Sequence, residues 1–437
     1  MGIFKGGIHL HYNKKRSLLN PIKKCPLPKT VTIPLSQHLG SPAKPIVKIG
    51  DHVHTGTRIG ESSGFMSAHV HASISGTVKK IAHYYHPILG FAQAIRIESD
   101  EKDIKEKSIY ARKVSEAITS EEIREIVAEC GIVGLGGAMF PTHIKLSPPK
   151  NKPIDTIIIN AAECEPYLTC DHMLMLKKSN EIIKGALLIM KAVNAQQCFI
   201  AIEDNKMDAY EVIYSKLRGL QLDKYIKPFK LKTKYPHGAE KQQIKTILNR
   251  EVPLGGVPFE IGVVVQNVAT TYAIYEAVYF RKPLYERMIT VAGSSLRTSR
   301  NLIARVGTSI SVLIKECGGY LRQPSKLIMG GPMMGLAQST ELCPIIKGTS
   351  GIVVLHETEI DLNDYRDCIR CTKCVIACPM KLIPSKLSIL SEYERYTEAK
   401  EAGIMGCIEC GICSYVCPAK RPMVQFMKIA KAKASQR

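Results

Sequence analysis

The run CIRCTKCVIACP, from Cys368 to Pro379, returns almost unchanged as CIECGICSYVCP from Cys407 to Pro418. A C-x2-C-x2-C turn offers three thiolates from one side of a tight loop. The fourth cysteine, four residues on and followed by proline, ligates the other cluster when two such runs face each other. That rule assigns Cys368, Cys371, Cys374 and Cys417 to one [4Fe-4S] cluster and Cys407, Cys410, Cys413 and Cys378 to a second. Structural zinc takes paired C-x2-C units instead, without the 2-2-3 spacing and closing proline. The segments SKLSILSEYERYTEAKEAGIMG, between the runs, and MVQFMKIAKAKA, after them, are rich in helix formers, so the C-terminal part reads as a helical two-cluster module passing single electrons.

Eight of the fifteen cysteines lie in these runs. The other seven (Cys25, Cys130, Cys164, Cys170, Cys198, Cys317 and Cys343) read as small core residues, and thiolates reserved for metal point to a reducing compartment. With 437 residues, several compact units are expected. No stretch has the roughly 18 apolar residues of a spanning helix, and the start MGIFKGGIHLHYNKK has no apolar signal core, so the chain is expected to stay in the cytoplasm. The formal charge is +21, and residues 1–50 hold nine Lys or Arg with no Asp or Glu. Such a basic segment suits an anionic lipid surface or an acidic protein. With no Trp and no recognisable nucleic-acid module, nucleic acid is not an expected partner.

Single-electron carriers need a converter when the fuel is a hydride, and the second informative stretch is TSEEIREIVAECGIVGLGGAMFPTHIKL, Thr119 to Leu146. Thr119 and Glu122 predict a capping box, Ile123, Ile126, Val127 and Cys130 recur on one helical face, and Gly131 is placed to end that helix. Gly134, Gly136 and Gly137 then let backbone N–H groups approach an anion or flat ring, with Lys145 to neutralise a phosphate. The loop is not G-x-G-x-x-G, because Met139 stands where the third glycine would fall. A buried strand is predicted from Ile154 to Asn160. At its carboxyl end lie Asn160, Glu163 and Glu165, where open α/β sheets form ligand crevices. An alternating β–α pattern follows and places Glu240 and Asn267 just after strand-like runs.

GLGGAMFPTHIKL, NAAECEP, YPHGAEK, QNVAT and the doubled cysteine run, in that order, resemble the RnfC family, the C subunits of Rnf electron-transport complexes, over essentially the whole chain. The middle region is similar to the FMN- and NADH-binding subunit of respiratory complex I. The resemblance implies that Gly134, Gly136, Gly137, Lys145, Asn160 and Asn267 contact FMN, that Phe140, Glu165 and Glu240 meet NAD(H), and that Glu163 stands with them among the cofactor-binding residues. Leu135, Ala162 and Gln266 depart from the complex I pattern, where Arg, Asp and Asn stand. The segment IVKIGDHVHTGTRIG…ASISGTVKKI resembles the barrel-sandwich fold of biotinyl and lipoyl carriers. It has no lysine between Gly60 and Lys79, so carrier chemistry is not expected, and His52, His54, His69 and His71 read as structural.

The expected architecture is multidomain α/β: a barrel-sandwich unit in 1–115, a Rossmann-like FMN/NAD(H) unit in 116–284, a small β-grasp unit in 285–352 serving as scaffold, and a dicluster ferredoxin-like unit in 353–437. No Ser/His/Asp or Cys/His nucleophile set is called for. The resemblance implies a peripheral subunit on the cytoplasmic side of the inner membrane. It would exchange electrons between NAD(H), FMN and two [4Fe-4S] clusters within a complex that couples ferredoxin and NAD chemistry to ion transport, with the other subunits as partners. The alternative is a flavin-free docking and wiring subunit holding only the clusters, which the three departures favour.

Overall fold

The structure, a computed structural model, describes residues 4–115, 117–361 and 363–435. Its centre is a parallel four-stranded sheet in the order Ile226–Leu231, Gln197–Glu203, Thr156–Ala161, Val263–Asn267. The strand Thr156–Ala161 is a β-branched run, and Ile157, Ile158 and Ile159 have no exposed surface, as a strand covered on both faces requires. Helices Cys170–Val193 and Val268–Phe280 pack closely together against one side. Helix Glu240–Leu248 covers the other, its Ile244 packing with Ile158 and Val265. The predicted capping box forms at Thr119 and Glu122, and Gly131 follows the helix end with φ +61°.

On the N-terminal side, a four-stranded sheet (Thr30–Pro34, Gly90–Ser99, Gly76–His86, His52–Val53) and a three-stranded one (Lys44–Pro45, Arg58–Glu61, Val70–His71) share an aliphatic core that includes Ile33, Ile59, Ile74 and Ile97. His71 is buried there, and burial pushes its imidazole well down, as suits a neutral core histidine. A six-stranded mixed sheet follows, in the order Lys23–Lys24, Arg300–Arg305, Glu286–Ala292, Gly351–Leu355, Lys326–Met329, Leu336–Ala337. Its edge strand Lys23–Lys24 comes from the far N-terminus and pairs in parallel with Leu302 and Ile303.

The C-terminal unit is helical, with Leu387, Leu390, Met423 and Met427 packed around several of the cysteines. The architecture is thus multidomain α/β, and among the described residues no helix is long and apolar enough to cross a membrane.

One expectation is changed in part. The basic N-terminal segment is not simply an outward docking strip: residues 4–20 run as a strap through the contacts between units. Gly7 N donates to Ala377 O (2.9 Å), Ile8 and Tyr235 exchange backbone hydrogen bonds (both 2.9 Å), and Tyr167 N donates to Tyr12 O (2.7 Å). Lys14 is buried, its Nζ donating to Leu168 O (2.7 Å) and Glu163 O (2.5 Å). A positive side chain satisfied by carbonyls inside the fold cannot serve a surface partner.

Candidate electron-transfer site

The two cysteine loops adopt the same backbone. Arg370 and Thr372 in the first have φ of 56° and 60°, and the equivalent Glu409 and Gly411 in the second have 57° and 79°. Lys381 and Lys420, each three residues after a fourth cysteine, have 57° and 54°. A left-handed residue costs a non-glycine chain about 1–2 kcal/mol, so three repeated pairs mark an enforced loop geometry. Cys368, Cys371, Cys374 and Cys417 line one cleft, and Cys378, Cys407, Cys410 and Cys413 line another. Each set draws three sulfurs from one run and one from the other, the donor set that a four-iron cluster takes. Each set holds two buried cysteines, and the sets differ at one position: Cys371 is exposed, whereas every member of the second set is buried or half-buried.

At the sheet, Asn160 and Asn267 are register partners on neighbouring parallel strands, at their carboxyl ends. The Asn267 side-chain oxygen caps the helix Val268–Phe280 by accepting from Ala269 N (2.8 Å) and Thr270 N (3.3 Å), and its amide donates to Asp171 Oδ2 (2.7 Å). Gly136 lies over it, since a Cβ there would meet Asn267 Cβ at 3.4 Å. Gly137 has φ +100° with nothing within 4 Å of where a Cβ would stand, and Gly136, Gly137 and Ala138 are all exposed. Gly134 N is used by the loop itself, donating to Phe140 O (2.8 Å). Lys145 Nζ meets Glu240 Oε2 at 2.6 Å, so the expected phosphate group and the expected nucleotide group form one ion pair at the start of helix Glu240–Leu248. An open glycine face, two paired asparagines below it and a cation at its edge fit a phosphate-bearing flavin.

The two glutamates after the strand have well-defined partners. Glu163 accepts from Asp171 N (2.7 Å) and His172 N (3.2 Å) and so caps the helix Cys170–Val193. Glu165 accepts from Met333 N (3.0 Å) and Met334 N (2.8 Å). Burial raises the Glu165 carboxyl to about 7, against the pull of those N–H groups, and burial with the neighbouring Glu163 charge raises Asp171 to about 7. Lys206, 1 % exposed, holds the same segment by donating to Ala162 O (2.6 Å). Cys164 lies beneath Gly238, where a Cβ would stand 2.8 Å from its Sγ, and burial pushes its thiol far up, which suits a structural residue.

The structure also adds residues that sequence reasoning did not single out. Tyr235, with no exposed surface, donates its hydroxyl to Cys410 O (2.8 Å). Gln243 donates to Asn160 Oδ1 (2.7 Å), while the adjacent Gln242 donates to Pro379 O (3.3 Å), next to Cys378. The Gly330–Gly335 loop of the six-stranded sheet, read from sequence as scaffold, stands between the two regions: Met333 N holds Glu165, and Met333 O lies 2.5 Å from where a Gly411 Cβ would stand. A Cβ on Gly6 of the strap would stand 2.6 Å from Cys378 O. Tyr235 carried a signal, because it stood beside Pro236 in the YPHGAEK segment, which the resemblance had already marked.

Comparison with known proteins gives three matching family models: the RnfC barrel sandwich hybrid domain over residues 3–102, the Nuo51 FMN-binding domain over 127–276, and a 4Fe-4S dicluster domain over 360–426. The chain is 45% identical to the C subunit of the proton-translocating ferredoxin:NAD(+) oxidoreductase complex of Clostridium ljungdahlii, over 98% of this chain and 93% of the relative. It is 42% identical to the C subunit of the Na(+)-translocating ferredoxin:NAD(+) oxidoreductase complex of Acetobacterium woodii, over 98% and 96%. With the C subunit of the ion-translocating oxidoreductase complex of Rhodobacter capsulatus it shares 39% identity over 99% and 83%. In fold it is similar to the NAD+-reducing [NiFe]-hydrogenase in its H2-reduced state, with a TM-score of 0.50 and 18% identity, over 70% of this chain and 62% of that one.

Proposed function

The chain belongs to the RnfC family, the C subunits of ion-translocating ferredoxin:NAD(+) oxidoreductase complexes, and from that premise we propose how its residues divide the work of electron transfer. It is an electron-transfer subunit of such a complex, handling NAD(H), FMN and two [4Fe-4S] clusters. The match of residues 127–276 to an FMN-binding domain favours this over a flavin-free wiring subunit.

When bound, FMN supplies the exchange between hydride pairs and single electrons. The protein's own task is positioning. We assign Gly134, Gly136, Gly137 and Lys145 to the flavin phosphate and ring, over a floor of Asn160 and Asn267, with Phe140 and Glu240 bordering the nicotinamide nucleotide. Glu163 and Glu165, whose carboxylates are engaged by backbone N–H groups, act as positioning residues: one fixes the start of helix Cys170–Val193, the other anchors the Met333 loop. Cys378, Cys407, Cys410 and Cys413 hold the cluster nearer the flavin. Cys368, Cys371, Cys374 and Cys417 hold the outer one.

One observation carries this order. Successive residues of a single helix, Gln242 and Gln243, hydrogen-bond the carbonyl next to Cys378, a member of the inner cysteine set, and the flavin floor respectively, so both centres share one rigid support. The unit divisions at 115 and 284 and a place on the cytoplasmic side of the inner membrane belong to the same proposal, supported by the element boundaries and by membership of a multi-subunit complex. The expected division at 352 falls inside strand Gly351–Leu355, whose pairing with Lys326–Met329 keeps it in the six-stranded sheet, so that unit runs on through Leu355. Anaerobically purified protein supplied with FMN should retain the flavin. NADH should bleach it and then give EPR signals from two clusters. Retention of iron with neither flavin nor response to NADH would defeat the proposal.

A further inference from the structure

Asp171, in the first turn of helix Cys170–Val193, has no part in the division of work described above. Its Oδ2 accepts from the amide of Asn267 (2.7 Å), and Gly136 of the exposed glycine face lies over Asn267. One asparagine side chain thus touches both the proposed flavin face and a carboxyl group.

That carboxyl also lines a cavity of about 110 Å³ bounded by helices Cys170–Val193 and Val268–Phe280, strand Glu286–Ala292 and Leu135. Leu135 is fixed at the cavity wall, its N donating to Thr270 Oγ1 (2.9 Å) and its O accepting from Arg287 (3.4 Å). Tyr272, Glu276, Lys282 and Glu286 line the same space and are joined to one another. The Tyr272 hydroxyl donates to Glu276 Oε1 (3.1 Å), and Lys282 Nζ donates to Glu276 Oε1 (2.6 Å) and Glu286 Oε1 (2.7 Å). Lys282 is 16% exposed and its two glutamates 20% and 21%, so the network reaches water. A space of this volume with charged and hydroxyl groups on its walls holds a short chain of waters, which carries protons between titratable groups.

The groups around Asp171 set it to change charge near neutrality. Burial and the Glu163 carboxylate raise it to about 7, against the Asn267 amide and the cations Arg287 and Lys14. Burial keeps the adjacent Cys170 a thiol. Of the cations lining the cavity, Lys178 is paired with Glu181 and Lys282 with two carboxylates, so neither is committed to Asp171.

We propose that Asp171 is the proton acceptor coupled to flavin reduction, supplied from solvent through the cavity at Tyr272 and Lys282 and acting on the ring through Asn267. This rests on the flavin assignment made above. NADH delivers two electrons and one proton to the ring, which leaves one negative charge in excess. Asp171 takes one proton from water onto its carboxylate and balances that charge. When the two electrons leave singly for the clusters, the ring gives up its proton and Asp171 returns the other to solvent.

The test compares wild type, Asp171→Asn and Asp171→Glu as full-length subunit, prepared without oxygen and loaded with FMN. In the infrared difference spectrum on reduction above neutral pH, wild type should gain the C=O band of a protonated carboxyl. The band should shift in Asp171→Glu and be missing in Asp171→Asn. Each proton taken up on reduction lowers the equilibrium constant about tenfold per pH unit. In a redox titration of the flavin, the constant should therefore fall more than about 30-fold from about pH 7 to about pH 8 in wild type, and about tenfold in Asp171→Asn. A wild type without the band, or an Asp171→Asn variant with the wild-type pH dependence, overturns the proposal. If Asp171→Asn does not retain FMN, Asp171→Glu decides: a shifted band supports the assignment and an unshifted one overturns it. A wild type that does not bind FMN would instead defeat the proposed function, and this proposal with it.

Discussion

The hydroxyl of Tyr235 donates to the backbone carbonyl of Cys410 across 175 residues of chain, at 2.8 Å. Tyr235 belongs to the segment that also carries Gly238 and Glu240, while Cys410 belongs to the inner cysteine loop. One hydrogen bond thus ties the edge of the proposed nucleotide crevice to a proposed cluster ligand, in a place with no exposed tyrosine surface. Buried polar bonds of this kind are worth about 1 kcal/mol net, and more when a partner is left unpaired.

Tyr235→Phe should therefore cost about 1–2 kcal/mol of stability while leaving FMN and iron content intact. The hydroxyl places the positive end of its dipole beside the inner loop and so favours the more negative, reduced cluster. Its removal should lower the midpoint potential of that cluster and leave the outer one unchanged, as an EPR redox titration can read.

The flavin and cluster sites should be separable by mutation. Gly136→Val places bulk on the face above Asn267 and should abolish FMN retention with full iron content. Cys371→Ala should remove the exposed cluster and leave flavin bound. Flavin fluorescence after denaturation and iron analysis check both. If either substitution stripped both cofactors from a folded protein, the two sites would not be independent.

Lys145→Gln removes the cation beside the glycine loop and leaves Glu240 without its ion-pair partner. The pair is partly exposed, so its loss should change stability by less than about 1 kcal/mol. A phosphate facing the uncompensated Glu240 carboxylate should bind at least about tenfold more weakly, which titration of the apoprotein with FMN measures. Unchanged FMN affinity would place the phosphate elsewhere.

Glu165 supplies a pH signature. Its carboxyl is raised from the usual 4.5 to about 7. Between these values the native state holds a proton that the unfolded chain has released. Its contribution to stability is therefore full below the lower value and is lost as pH rises through 7. The change is at most about 3 kcal/mol, and smaller to the extent that the residue keeps part of its surface in water. The difference in unfolding free energy between wild type and Glu165→Gln should accordingly move against the wild type on going from about pH 5 to about pH 8 in denaturant titrations. A constant difference would exclude Glu165 as the titrating group.

The sequence by itself determined the parts of this protein that are encoded over a few consecutive residues. Two cysteine runs with equal spacing dictate two equal loops, which recur in the left-handed pairs Arg370 and Glu409, Thr372 and Gly411. Thr119 and Glu122 dictate a capped helix start, and a β-branched run dictates the strand below Asn160. Only the tertiary structure decided how these parts are joined. Tyr235 to Cys410, Gln242 to Pro379, Glu165 to Met333 and the strap's Lys14 to Glu163 are contacts between segments more than 130 residues apart. A glutamine on a helix or a lysine in a basic tail carries no mark of its partner, because the contact exists only once sheets and helices have packed. For the same reason part of the N-terminal positive charge, legible as surface in the sequence, proves to be internal, with Lys14 satisfied by carbonyl oxygens at the end of the central sheet.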